Sequence, residues 1–501
     1  MKNKTGVCRA LLLVGMGLMI PCYLFTAGNT LLSPWPLYDR NRLALCLLTP
    51  LCLLLLLLLG RAAKAKVFET HERAVLLGFA AFYFVIQLVM ASALRFTPVT
   101  DLEQCVTAAR RLAQTGAFGD SERSLIYFGR YPHNMGLVYL LAGIFKAADA
   151  LGADELMAAA LVCGLLFSMG LLCAARLCRR LGGAQAQARA LLLFATCLPF
   201  LYCTSELYTD AFSVAFAPMI VFAFLKARDA GSRKERSLWA LLFAVCTFFG
   251  AQIRFPTIIA AIACLIAALF EKRAKLTVLL AAPLVLVFAV GGSAVNAANK
   301  ANLGAANIAQ NKLPKLHYIA MGLPVQSDEG YGQYGYGGWL IFSTSFDDPQ
   351  ARDEALRQEV VDRAYTLARH PAQLLSTLSR KNLSTFGRGT FNLNEIFEAD
   401  AHEADNAVKQ AVFENGRFNR AYTHLATALF VAQMALACIA CIQAIRRRDT
   451  RAAPLFLTLL GAFLFLSIWE TRARYFFQFM MILLCAGAMF ETPSMHAAQK
   501  A

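Results

Sequence analysis

Asp101 stands a few residues beyond an apolar run that ends near Leu94, early in the stretch RFTPVTDLEQCVTAARRLAQTGAFGDSERSLIYFGRYPHNM, residues 95–135. A carboxylate at the end of a membrane helix meets the surface where lipid-borne substrates present their head groups, and an ionisable group there is a functional candidate. Its chemistry would be proton abstraction, since an ionised carboxylate within hydrogen-bond reach of a hydroxyl acts as a general base. The same stretch supplies Glu103 and, in YFGRYPHN, Tyr127, Arg130, Tyr131, His133 and Asn134. Asp101 and Glu103 would share a face only in an extended segment, and Pro98 favours a non-helical entry. Glu206 and Asp210 are four apart, so a helix reaching both would put them on one face.

Three arginines, Arg254, Arg472 and Arg474, carry the complementary charge. Their planar fork suits a phosphate or a carboxylate. Two readings stand level: contact with a substrate phosphate, or mutual satisfaction with Glu206, Asp210 or Glu470 in a polar pocket. Tyr127, Tyr131, Trp339 and Tyr475, taken singly, read first as interfacial aromatic anchors. His133 reads as a hydrogen-bonding turn residue, because no second His or Cys sits at ligand spacing.

The elements that must position these groups are membrane helices. The chain has 501 residues, 58% of them hydrophobic, with repeated apolar runs of spanning length. This predicts an all-α polytopic membrane protein. The formal charge of +16 gathers in short connectors between apolar runs, as the positive-inside rule expects, and nucleic acid is excluded as a partner. Most of the 15 cysteines lie inside apolar runs, where they behave as small hydrophobes rather than a disulfide framework. Lys2, Lys4 and Arg9 precede LLLVGMGLMI without a small-residue cleavage site, so an uncleaved first helix is expected.

Helices are predicted over 8–27, 43–59 and 74–94, with Pro34, Pro36, Asp39 and Arg40 in the first turn and Arg61, Lys64, Lys66 and Arg73 in a cytoplasmic connector. The segment 136–150 is apolar but short, and the run 156–175 ends in Arg176, Arg179 and Arg180. Keeping that basic cluster inside requires 136–150 to lie along the outer surface or dip back. Further crossings follow over 188–202, 211–224, 239–250, 256–270, 276–295, 421–445, 454–469 and 475–490, about twelve in all with both termini cytoplasmic. Asp101, the YFGRYPHN stretch, 205–210, Arg254 and Glu470-Thr471-Arg472-Ala473-Arg474-Tyr475 then fall on one side, the outer face. Residues 1–73 read as two added helices and a connector, 74–295 as a core whose first outer loop is 95–155, 296–420 as an outer loop or domain, and 421–501 as the last helices. Within 296–420, Leu356, Val360, Tyr365 and Leu367 mark an amphipathic helix ended by His370-Pro371. A second helix through Leu374 and Leu378 is expected to help roof the cavity. GYGQYGYGGW reads equally as a carbohydrate-contacting loop or as a low-complexity turn.

These places together resemble the GT-C class of integral-membrane glycosyltransferases, of the protein O-mannosyltransferase and lipid A aminoarabinose transferase type. The resemblance rests on Thr100-Asp101-Leu102-Glu103-Gln104 with Tyr131-Pro132-His133-Asn134, on RLCRRLGG followed by Glu206 to Asp210, on Trp469-Glu470-Thr471-Arg472-Ala473-Arg474-Tyr475-Phe476, and on His317-Tyr318-Ile319-Ala320-Met321-Gly322-Leu323. It implies transfer of a sugar, with inversion, from a polyprenyl-phosphate-linked donor to a glycan, lipid or protein acceptor, at the outer face of a bacterial cytoplasmic membrane. Asp101 would be the base and Arg254, Arg472 and Arg474 the phosphate holders. Glu206 and Asp210 would bind sugar hydroxyls or, with Asp101, a divalent cation. Glu103, Tyr127, Arg130, Tyr131, His133, Asn134, His317, Glu470 and Tyr475 would line the substrate site. The competing classes are a secondary transporter or lipid flippase, against which the absence of an evident repeat and of midmembrane charge argues, and an outer-face polysaccharide polymerase or ligase.

Overall fold

The computed structural model describes residues 2–35, 37, 41–63, 65–94, 97–119, 121–326, 329–393 and 406–491. Pro36, Asp39, Arg40, Lys64 and Arg95, to which sequence reasoning gave places in turns and connectors, lie outside the described residues. Every regular element among those described is helical. Among the described residues, eight helices are long and apolar enough to cross a membrane: Gly6–Leu32, Arg42–Ala62, Lys66–Ala93, Glu155–Ala195, Thr209–Asp229, Arg233–Ile253, Ala274–Leu303 and Asn419–Arg446. Three shorter apolar helices, Phe255–Phe270, Ala453–Ile468 and Ala473–Ala488, accompany them. The 41-residue helix Glu155–Ala195 is broken at Gly182 and at Gly183, whose φ is +72°. Glycine tolerates that conformation at little steric cost, so RLCRRLGG separates two arms.

Two departures from the predicted elements bear on the site. Pro98 does not keep Asp101 out of a helix: Asp101 and Glu103 both occupy the first turn of Thr100–Thr115. Acidic residues are favoured there because the unpaired N–H groups and the helix dipole present positive charge. Two residues apart on a helix, these two side chains diverge rather than share a face. Glu206 and Asp210 are likewise not on one helix. The helix begins only at Thr209, and Leu207 takes φ +50°, turning the chain between the two carboxylates.

Met135–Ala150 buries Met135, Leu137, Val138, Leu141, Ala142 and Phe145, a spacing that gives one wide apolar face. It packs against Thr100–Thr115 and Glu155–Ala195. Its first turn sits so close to the end of Arg233–Ile253 that a Cβ on Gly136 would lie 2.2 Å from the Gln252 carbonyl oxygen. This contact sets the distance between the first loop and Arg254.

The helix expected to end at His370-Pro371 is Pro349–Arg369, and Pro371–Phe386 follows it. Asp348 caps the first through Gln350 N and Ala351 N, leaving Pro349 where a missing N–H does no harm. Leu356 and Leu367 are buried, whereas Tyr365 is exposed. In the second helix the polar Thr377, Lys381, Asn382, Ser384 and Thr385 are buried along with Leu383 and Phe386, while Leu374 and Leu375 look outward. The interior offers backbone carbonyls: Thr377 Oγ1 donates to Pro324 O at 2.9 Å, and Lys381 Nζ donates to Gly322 O and to Trp469 O.

Gly136→Ala is expected to destabilise the protein by about 1–3 kcal/mol, because backbone must shift to admit the methyl group. Thermal unfolding in detergent measures this; a melting temperature equal to that of the native protein would mean the contact is not a constraint.

Candidate functional site

The site assembles where several helices stop. Helix Arg233–Ile253 ends at Arg254, which is extended, and Pro256 prevents the ladder from continuing. Helix Ala453–Ile468 ends at Trp469, and the chain crosses Glu470, Thr471 and Arg472 before the 3-10 turn Ala473–Phe479. Thr471 fixes that crossing, its N–H donating to Gly332 O at 2.8 Å and its hydroxyl to Tyr331 O at 2.9 Å.

At the centre is Asp210, with no exposed side-chain surface. Arg254 Nε lies 2.9 Å from its Oδ1, and Arg474 Nε lies 3.4 Å from its Oδ2. Arg254 also donates to Thr209 Oγ1 at 2.6 Å and lies over the Tyr475 ring, 4.3 Å from its centroid. Arg474 lies over the Tyr208 ring. Burial of these charges is tolerated because each guanidinium has a carboxylate and an aromatic face. Arg474 reaches on to Asp101, its Nη2 at 3.9 Å from Oδ2.

Asp101 differs from Asp210 in access, since 43% of its side chain is exposed. The Tyr127 hydroxyl donates to Asp101 Oδ1 at 2.8 Å, and Asn134 Nδ2 donates to the Tyr127 oxygen at 3.0 Å. A relay of two neutral donors thus orients the carboxylate while its second oxygen faces Arg474. Beside it opens a cleft of about 480 Å³ bounded by Thr100, Glu103, Arg123, Tyr127, Arg130 and Tyr131. Arg123, Tyr127 and Arg130 fall at i, i+4 and i+7 of helix Glu122–Arg130 and so share a face. Arg123 was not among the residues singled out from sequence, although that periodicity could have found it.

The remaining candidates sort around this centre. Glu103 is exposed at the cleft, and His133 is exposed with its ring edge-on to Tyr131 and Tyr318. The Tyr131 and Tyr334 hydroxyls are hydrogen-bonded, which joins the cleft to the Gly-rich loop. Arg472 donates to Tyr334 O at 3.2 Å, so it grips that loop. Glu470 is buried and accepts from the Tyr475 hydroxyl; burial raises its carboxyl above the usual range, and the tyrosine bond offsets part of that. His317 is not in the site. It is fully buried behind Tyr318, with Nδ1 2.7 Å from Ser343 Oγ, and burial lowers its imidazole to about 4. Glu206 also leaves the group, being buried with Cys163, Cys203 and Tyr202 as electrostatic neighbours. Asp101, Glu206 and Asp210 thus do not form a donor set for a divalent cation, and among the described residues no three His, Cys, Asp or Glu side chains cluster for one.

Lys381 carries no signal in the sequence, yet it is buried under the late turn. Burial lowers its ammonium to about 7, and the charge of Glu470 opposes that shift.

The profile of a family described as conserved hypothetical integral membrane protein matches residues 43–495. The chain belongs to this family of integral membrane proteins. Family and apolar helices together make it a multi-pass membrane protein. No curated protein matches the chain. Among solved structures it is similar to ArnT from Cupriavidus metallidurans bound to undecaprenyl phosphate, at 13% identity and a TM-score of 0.37, covering 83% of this chain and 77% of that one. The functional reading of this family member rests on its own residues.

Asp210→Asn takes the carboxylate from Arg254 and leaves Arg474 its longer contact with Asp101, and is expected to cost about 3–5 kcal/mol, read as a lowered melting temperature. For Lys381 the sign follows from proton binding. Between pH 7 and the ordinary lysine range of about 10.5 the unfolded chain holds a proton that the folded one has lost, so stability rises with pH. Denaturant titrations should show that rise in the native protein and not in Lys381→Met; equal slopes would contradict it.

Proposed function

We propose that this family member is a membrane glycosyltransferase moving a sugar from a polyprenyl-phosphate-linked donor to an acceptor hydroxyl, with Asp101 as general base. The observation that carries the reading is an accessible carboxylate held by Tyr127, whose side chain also lines a neighbouring cleft with two arginines on one helix face. A base next to a space of about 480 Å³ that holds anion-binding arginines is what a displacement at a sugar carbon next to a phosphate requires.

The acceptor O–H gives its proton to Asp101 Oδ while its oxygen bonds to the anomeric carbon. The bond from that carbon to the phosphate oxygen breaks, and the electron pair leaves with the polyprenyl phosphate. A single displacement of this kind inverts the anomeric centre. Arg123 and Arg130 hold the departing phosphate and stabilise the charge it gains, which is electrostatic catalysis. That role moves from Arg254 and Arg474, which are engaged by Asp210, and from Arg472, which holds the loop at Tyr334. Arg474 instead holds the Asp101 carboxylate in register with Asp210. The donor set of carboxylates does not suit a divalent cation, and no step passes through one. The site faces the outer side in the topology set by the basic connectors, where lipid-linked sugars are presented.

In membranes carrying the native protein, label from a set of radiolabelled polyprenyl-phosphate sugars should pass to an acceptor. Asp101→Asn should lower kcat by about 10²–10⁴-fold at unchanged protein level, and Arg130→Gln should raise KM for the donor. Full activity in Asp101→Asn would remove it as the base. Absence of transfer from every donor by the native protein would return the chain to the carrier class.

A further inference from the structure

A second cavity lies between Met19–Leu32, Pro371–Phe386 and Ala453–Ile468, with a volume of about 290 Å³. Its walls are apolar: Phe25, Leu375, Leu378, Phe386, Phe463 and Leu466. Its mouth is apolar as well, since Leu375 is 59% exposed and the neighbouring Leu24, Leu464 and Ile468 are exposed on the helices beside it. Two of the three elements are apolar helices, and a mouth with this lining suits the hydrocarbon of a bilayer better than water.

The floor is different. Lys381, Asn382 and Thr385 line it, and each is at least nine-tenths buried. Lys381 is engaged with Gly322 O and Trp469 O, and Asn382 Nδ2 donates to Thr26 Oγ1 at 2.8 Å. Asn382 Oδ1 and Thr385 Oγ1 have no hydrogen-bond partner among the described residues. Unpaired polar groups just beneath the floor of an apolar cavity are unfavourable unless something satisfies them. One hydroxyl can do so for both, accepting from the Thr385 hydroxyl and donating to the Asn382 oxygen.

We propose that this crevice binds one hydroxyl-bearing lipid, its hydroxyl bridging Thr385 Oγ1 and Asn382 Oδ1 and its hydrocarbon leaving along Phe25, Leu378 and Phe463. An ester or an alkane fills the walls but leaves the Asn382 oxygen without a donor, so the floor selects for a hydroxyl. The bound lipid lies against the Lys381 side chain, which holds the Trp469 carbonyl next to Glu470. The site is separate from the Asp101 cleft and does not depend on the transferase reading.

Native mass spectrometry of the delipidated full-length protein, titrated with 1-monooleoylglycerol or with methyl oleate, tests this. One equivalent of monooleoylglycerol is expected to be retained, with methyl oleate at least tenfold weaker. Thr385→Val should bring monooleoylglycerol down to the methyl oleate level, and Thr385→Ser should keep the preference. Leu378→Trp, which fills the crevice, should remove binding of both, while an unchanged melting temperature shows that the fold persists. Equal retention of the two lipids by the native protein, no retention of either, or retention untouched by Leu378→Trp would each overturn the proposal.

Discussion

Asp210 is a carboxylate without exposed surface, held between Arg254 and Arg474, and it is the contact on which the site's geometry depends. The two guanidinium groups arrive from turns separated by more than two hundred residues of chain, and each of those turns is the end of an apolar helix. In a medium that solvates charge poorly, neither arginine can be moved away from its countercharge cheaply. The pair therefore fixes the ends of two helices to the start of a third. Arg474, held in this way, sits beside the more exposed Asp101, so a structural ion pair in the interior sets the position of the group proposed to do chemistry.

Around that centre, polar groups are matched at helix ends rather than along helix faces. Gln87 Nε2 donates to Phe200 O at 2.7 Å and the Tyr83 hydroxyl to Phe194 O at 2.8 Å, closing carbonyls where the second arm of Glu155–Ala195 ends. Thr471 does the same for the Gly-rich loop, whose Gly330, Gly332, Gly335, Gly337 and Gly338 have positive φ. Such a path needs glycine and leaves carbonyls pointing outward. Arg380 and Arg472 take two of them, at Gly330 and Tyr334. The loop read from sequence as either a sugar-contacting segment or a low-complexity turn is thus a fastened strap, joined to the cleft by Tyr131 and Tyr334.

Much of this was legible beforehand, for physical reasons that can be named. Basic connectors and apolar runs placed Asp101, Asp210, Arg254 and Arg474 at helix ends on one side, and the structure brings these four together. The pairing of arginine with carboxylate was one of two open readings, and geometry selects it for Arg254 and Arg474. Glu206 could not be read correctly, because its direction depends on Leu207 taking φ +50°. His317 looked like a site residue by its motif but is turned away toward Ser343.

The sequence by itself determined the apolar helices, their breaks at Gly182-Gly183, Pro256 and His370-Pro371, and the concentration of charge at helix ends, since these follow from local hydropathy and backbone preference. Tertiary structure alone decided which charge meets which, that Arg123 and Arg130 share a cleft with Tyr127, the donor to Asp101, and that Pro371–Phe386 turns Lys381 and Asn382 inward and Leu374 and Leu375 outward. The reason is that a helix pattern shows two faces without saying which is interior. In a membrane protein the apolar face can be the outer one, and only the partners that satisfy the polar face settle it.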